Sequence, residues 1–175
     1  YVLNDTNKDP FHDNYINVIF VDTVSAFTKD NKVKVIWIGI WADGLTKLVI
    51  EGDHESSFHY RHSPDDTNSI SDNSIQSIFC DAQGTLWIGT NANSLDQFVP
   101  STNSFIHNYV DSNRSAHCVV KALFTDSQKR TWAAVFNRGI FQIKFDCNVR
   151  EGNTKKAKFI PEISFEDFLK RVNKI

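Results

Sequence analysis

The sequence predicts an all-β fold: a partial β-propeller of about three four-stranded antiparallel blades, followed by a short C-terminal amphipathic helix. Three observations carry that expectation. One apolar strand recurs, with Gly84-Thr85-Leu86-Trp87-Ile88-Gly89-Thr90 echoed by Val35-Ile36-Trp37-Ile38-Gly39-Ile40 and Arg130-Thr131-Trp132-Ala133-Ala134-Val135. Its β-branched and aromatic residues are strand formers. Each copy follows a second strand-like run that begins at Ile16, Ile75 or Val120 and ends in Asp22, Asp81 or Asp126. Finally, Trp37, Trp87 and Trp132 stand 50 and 45 residues apart, the period of a solenoid or propeller. Four antiparallel strands repeated at that length make a propeller blade.

The elements follow in order. Residues 1–15 read as the end of a preceding repeat and a loop, because Asp5-Thr6-Asn7 and Asp13-Asn14 recur as Asp66-Thr67-Asn68 and Asp72-Asn73 ahead of the next strand. The chain is thus expected to be cut from something longer. Blade 1 spans 16–73, blade 2 spans 74–119 and blade 3 spans 120–161. In blade 2, Asp81-Ala82-Gln83-Gly84 is a hairpin signal, Asp bonding nearby backbone and Gly taking a positive φ. Lys129 stands in the place of Gly84, so the turn of blade 3 must adapt or strain. In blade 1, Asp22 and Trp37 are 15 residues apart where the other units have 6. Thr28-Lys29-Asp30-Asn31-Lys32 therefore reads as the tip of a lengthened hairpin.

After each Trp strand come a polar turn, at Ala42-Asp43-Gly44, Asn91-Ala92-Asn93-Ser94 or Asn137-Arg138-Gly139, and a third strand, at 45–50, 95–99 or 140–145. A weaker fourth strand falls near 57–60, 104–109 and 158–160. At 162–175 the period changes. Phe165, Phe168, Leu169 and Val172 fall at helical spacing behind Ser164, a candidate cap, with Glu166 and Asp167 in the first turn. The apolar face of that helix must dock, and the open side of the last blade is the nearest place.

Composition narrows the function. With 41% hydrophobic residues, 14 Phe and 4 Trp, the 175-residue chain can bury a sizeable core. Its 19 basic and 21 acidic residues give a net charge of −2, which offers no basic excess for nucleic acid or an anionic membrane surface. No apolar run approaches the roughly 20 residues of a membrane helix. Cys80, Cys118 and Cys147 lack zinc-like spacing, so Cys80 reads as a buried structural thiol, and a Cys118–Cys147 disulfide stays open.

No catalytic constellation, metal site or cofactor site stands out. Asp65 and Asp66 read as turn formers, and His59, His62, His107 and His117 have no ligand spacing. Trp37, Trp87 and Trp132 read as blade-to-blade core. Trp41 differs, since it borders the turn Ala42-Asp43-Gly44 and has no aromatic counterpart in blade 2. If exposed, it offers a flat face to a sugar, with Asp43, Asn91, Asn93, Asn137 and Arg138 as hydrogen-bonding neighbours in equivalent turns. In a meander blade the turn between second and third strands and the crossover to the next blade share one end. Asp65, Asp66, Arg114 and His117 should lie near the same mouth.

The second unit, from Asp72-Asn73-Ser74-Ile75 through Asp81-Ala82-Gln83-Gly84-Thr85-Leu86-Trp87-Ile88-Gly89-Thr90 to Leu95-Asp96-Gln97-Phe98, resembles the two-component regulator propeller repeat. Ala133-Ala134 in the third unit and Asn93-Ser94 in the second depart from the family pattern. The resemblance implies a periplasmic sensor of a membrane-anchored hybrid two-component protein, often responsive to oligosaccharides, with any kinase activity outside this stretch. The expected function is a non-catalytic, extracytoplasmic, ligand-binding propeller segment. The alternative is a protein-interaction or dimerisation scaffold, and a third class is a partial propeller lyase or hydrolase. Because three blades leave two unpartnered faces, a homodimer closing a six-bladed ring is the expected assembly.

Overall fold

Asp81 and Gly84 show how blade 2 starts. Asp81 and Thr85 close a short hairpin, Asp81 N–H donating to the Thr85 carbonyl at 2.9 Å and Gly84 N–H to the Asp81 carbonyl at 2.9 Å. Gly84 takes a φ of 81°. The same geometry recurs at Asp126, Lys129 and Arg130. There Lys129 adopts a φ of 63°, so the turn keeps its shape and the residue bears the left-handed conformation that glycine would accept freely.

The structure is a computed structural model that describes residues 15–22, 33–92, 94–110, 118–146 and 156–164. Among the described residues twelve strands form three four-stranded antiparallel sheets, each a simple meander. Blade 1 comprises β1 (Ile16–Asp22), β2 (Val33–Ile40), β3 (Gly44–Glu51) and β4 (His54–Tyr60). Blade 2 comprises β5 (Ile75–Cys80), β6 (Leu86–Thr90), β7 (Ser94–Val99) and β8 (Ser104–Tyr109), and blade 3 comprises β9 (Val120–Thr125), β10 (Thr131–Val135), β11 (Gly139–Asp146) and β12 (Lys156–Ser164).

The registers are equivalent. Phe20 pairs with Trp37, Phe79 with Trp87 and Phe124 with Trp132. Each first strand also carries an irregularity at its start, skipping Asn17, Gln76 or Lys121. The bulge turns Asn17 towards the next blade, where its Nδ2 donates to the Ile75 carbonyl at 2.8 Å.

The core lies between the sheets. Trp37, Leu45 and Tyr60 of blade 1 pack with Ile75, Ile88, Phe98 and Phe105 of blade 2. Trp87 and Leu95 of blade 2 pack with Val120, Ala133, Val135 and Ile143 of blade 3. Trp37 meets Phe98 edge-on at 4.9 Å, and Tyr60 contacts both Phe98 and Phe105.

Three expectations need correction. Trp132 occupies the position equivalent to Trp37 and Trp87, but it is half-buried where they are 2% and 0% exposed. Its ring faces away from blade 2 and stacks on the exposed Phe124. The last strand is longer than expected and runs to Ser164, whose backbone pairs with Gly139. Residues 162–164 therefore continue the sheet. Cys80 is half-buried rather than buried, whereas Cys118 is a fully buried free thiol.

The lengthened hairpin tip, the Phe165–Val172 helix, Cys147, Asn93, Arg114 and His117 lie outside the described residues, as do residues 1–14. Among the described residues no helix is long and apolar enough to cross a membrane.

Candidate ligand-binding mouth

The rim at the β2–β3, β6–β7 and β10–β11 turns is set by one backbone hydrogen bond per blade. Trp41 N–H donates to the Tyr15 carbonyl at 2.9 Å, Asn91 N–H to Ser74 at 3.1 Å and Phe136 N–H to Val119 at 2.9 Å. These bonds hold Trp41, Asn91 and Phe136 at matching positions. Trp41 is 44% exposed and Phe136 51%, so two blades present an aromatic ring where the middle one presents an amide.

The turns of blades 1 and 3 share a backbone. Ala42 and Asn137 have φ of 60° and 57°, and Gly44 and Gly139 have φ of 91° and 105°. Asn tolerates that region through local hydrogen bonding, whereas Ala does not. A side chain at Gly44 would strike the Tyr60 carbonyl oxygen.

Asp43, expected beside Trp41, is 3% exposed and forms an ion pair through Oδ1 with Arg61; its Oδ2 has no hydrogen-bond partner. It therefore ties the turn to the crossover between blades 1 and 2. Gly44 N–H adds a bond to the Asn73 carbonyl at 2.7 Å. Turn and crossover thus share one end of the blades, as meander geometry requires. Asn137 and Arg138 are exposed on the equivalent turn of blade 3. Nearby, Lys121 Nζ lies 5.9 Å from the Phe136 ring centroid and donates to Gln76 at 2.6 Å.

The crossover is rigid for a reason that the sequence did not reveal. Asp96 is fully buried in β7 and accepts from Ser71 N–H at 2.8 Å and from the Ser94 hydroxyl at 2.6 Å. Ser71 also bonds Thr90 at 2.6 Å, and His107, the cross-strand partner of Asp96, bonds the Ser69 carbonyl at 2.8 Å. Burial pushes the Asp96 pKa up, and His107 with the bonds from Ser94 and Ser71 partly offsets it.

Blade 1 has a weaker version, with Thr46 paired with His59 and bonded to it at 3.1 Å. A histidine facing a polar residue at one repeat position was the signal available. Asp66 caps the Asn68 N–H at 2.9 Å, as expected of a turn former, and His62 bonds the Ile70 carbonyl. Among the described residues no cluster of His, Cys, Asp or Glu could hold a metal ion.

Three recesses stand out among the described residues. One of about 460 Å³ opens between blades 1 and 2 at the opposite end, lined by Asp22, Trp37, Lys47, Gln83, Gln97 and Ser101 among others. Burial lowers the Lys47 pKa there, against the pull of Asp22. Two more, of about 600 and 460 Å³, flank the crossover around Arg61, Asp66, Asn68 and His107. None of the three is lined by Trp41, Asn91, Asn137 or Arg138.

Residues 69–92 run from the clamped crossover through the Asp81–Gly84 turn and the Trp87 strand, and they match the family described as two component regulator propeller. This stretch is similar to a two component regulator propeller repeat. The extracellular domain of a B. thetaiotaomicron protein, described in one structure as a one component system, superposes on the propeller with a TM-score of 0.60 and 22% identity, over 94% of this chain and 21% of that one. A second structure of that extracellular domain, described as a hybrid two component system, gives 0.58 and 24%, over 89% and 19%. The β-propeller domain of Myceliophteria thermophila Cps50 (Swd1) gives 0.52 and 14%, over 78% and 45%.

These likenesses show the propeller fold. The chain spans about a fifth of the B. thetaiotaomicron domains. No curated protein matches it.

Proposed function

We propose that this propeller segment is a non-catalytic, ligand-binding part of the periplasmic sensor region of a two-component signalling protein, and that it takes oligosaccharides at the Trp41 rim. The observation that carries the reading is the exposed Trp41 ring, fixed by its backbone bond to Tyr15 and set beside a crossover held by Asp43–Arg61 and Asp96. A rigid aromatic face surrounded by turn amides suits the apolar C–H faces and hydroxyls of a sugar. Asn91, Asn137 and Arg138 would supply hydrogen bonds, and Phe136 a second apolar contact. The regulator-propeller repeat and the extracellular domains sharing the fold support the sensor role and its location outside the cytoplasm.

Titration with neutral and acidic oligosaccharides, followed by Trp fluorescence, tests the reading. Trp41→Ala should weaken binding about tenfold or more, equivalent to about 1.4 kcal/mol. Unchanged affinity in that variant would overturn it. The second reading, an interaction or dimerisation scaffold, is favoured by Ile19 and Val21, which are 59% and 53% exposed on β1. Self-association lost in Ile19→Asp, without sugar binding, would select it.

A further inference from the structure

Blade 1 departs from the other two blades at two neighbouring positions. In blades 2 and 3 the strand tryptophan donates its indole N–H to the aspartate that follows the first strand, Trp87 to Asp81 and Trp132 to Asp126. Across the next pair of strands it faces a neutral amide, Gln97 or Gln142. In blade 1 the Trp37 indole nitrogen is buried with no hydrogen-bond partner among the described residues, although Asp22 holds the place of Asp81. The residue facing Trp37 is then a cation, Lys47.

Both departures fall on one space. Trp37, Lys47 and Asp22 line the recess of about 460 Å³ between blades 1 and 2, at the end opposite the Trp41 rim. The register of the three blades is the same, with Phe20 paired to Trp37 as Phe79 is to Trp87. The indole edge is therefore directed at the Asp22 end of the sheet, where the recess opens. Lys47 Nζ lies 5.4 Å from the Trp37 ring centroid and 5.7 Å from that of Phe58, and it has no hydrogen-bonded partner among the described residues. Burial works against its charge, and Asp22 only partly offsets this. Its flexible stem, lying over the ring, is the part that would move to admit a ligand.

The polar groups define what fits. An indole N–H and an ammonium call for an acceptor, and a carboxylate accepts from both. The charges of Lys47 and Asp22 cancel, so a simple anion gains no net attraction here. A ligand that also carries an ammonium uses Asp22, since an ionised carboxylate accepts several hydrogen bonds. Beside these groups, Leu86, Phe98 and the Trp37 ring give the recess an apolar wall, and its volume lies within the roughly 300–1,000 Å³ of small-molecule sites. We propose that this recess binds a free amino acid with an apolar side chain, its carboxylate held by Lys47 and Trp37 and its ammonium by Asp22.

Calorimetric titration of the whole chain with L-leucine and L-phenylalanine tests the proposal, with N-acetyl-L-leucine and L-leucinamide as analogues that each lack one charge. At least one of the amino acids should bind with a Kd of about 1 mM or tighter, and the analogues about tenfold more weakly than L-leucine. Lys47→Met, which keeps the apolar stem, should weaken binding about tenfold, and Trp37→Phe about threefold, in proteins whose circular dichroism is unchanged. Trp41→Ala should leave the affinity as it was, which separates this recess from the rim. Absence of binding by both amino acids would overturn the proposal. So would an analogue that binds as tightly as L-leucine, an affinity indifferent to Lys47→Met, or binding lost in Trp41→Ala.

Discussion

Trp87 donates its indole N–H to the Asp81 carboxylate at 3.1 Å, across the hairpin that the same carboxylate closes by accepting Gln83 N–H and Thr85 N–H at 2.9 Å each. Trp132 and Asp126 repeat the arrangement at 2.9 Å. The repeated Asp is therefore both turn former and anchor for the core Trp. In blade 1 the link is absent, for the Trp37 indole nitrogen is buried with no hydrogen-bond partner among the described residues.

That asymmetry gives the first prediction. Trp87→Phe leaves the buried Asp81 short of a donor, whereas Trp37→Phe removes a donor that had no acceptor. Both lose ring area, but Trp87→Phe should cost about 1–3 kcal/mol more, the penalty for an unsatisfied buried group. Denaturant midpoints of the two variants decide it. Equal costs would mean that the bond contributes nothing net. Trp87→Ala, which also opens a cavity, should cost about 3–5 kcal/mol.

Asp126 predicts a pH dependence. Its partial burial would raise its pKa, but the bonds from Trp132 and from the backbone and side chain of Arg130, with the Arg130 charge, outweigh that and hold it at about 2 against an ordinary 3.8. The unfolded chain thus binds the proton first as pH falls. The stability contributed by Asp126 is complete above about pH 4 and is lost as pH drops through about 2. The melting-temperature gap between the native chain and Asp126→Asn should narrow over that window. A constant gap would show that the bonds do not depend on ionisation.

The strands, their order and their register were legible because apolar residues recur at one spacing and a single-residue slip would expose every core side chain. Lys129 also declared its strain, since it stands in the place of Gly84. The incomplete burial of Trp132 was not legible from its own strand, because burial there depends on what covers the sheet beyond it. The Asp96 clamp was hidden for a different reason. A charged residue between Leu95 and Gln97 reads as a solvated strand position, and only the crossover folding back onto β7 buries it. Trp41 stood out because blade 2 has no aromatic counterpart, but its exposure comes from the structure, and the withdrawal of Asp43 into its pair with Arg61 depends on a residue 18 positions away.

The glycines behind the tryptophans supply a stability test. Gly39→Ala and Gly89→Ala should each destabilise by about 1–3 kcal/mol through overpacking, and Gly89→Ala should be worse because it meets backbone at Val120 whereas Gly39→Ala meets only the side chains of Ile75 and Val18. Lys129→Gly should act in the opposite direction and stabilise by about 0.5–1 kcal/mol, because it relieves a positive φ at an exposed turn. Urea denaturation of the three variants checks both signs. A neutral Gly89→Ala would show that the blades separate easily.

The last prediction concerns the crossover that supports the Trp41 rim. Asp96→Ala removes the acceptor of Ser71 N–H and of the Ser94 hydroxyl inside the sheet. Two donors lose their partner while the buried volume shrinks, so the loss should reach about 2–4 kcal/mol. Asp96→Asn should cost less, because an amide oxygen can replace one acceptor and no charge then has to be buried, the condition that pushes the Asp96 pKa up. The local consequence separates this clamp from an ordinary core contact. In Asp96→Ala the Ser71 amide should exchange with solvent much faster while the amide of Ile88, deep in β6, stays protected. Equal acceleration at both sites would mean that Asp96 holds blade 2 together as a whole and does not specifically fasten the crossover.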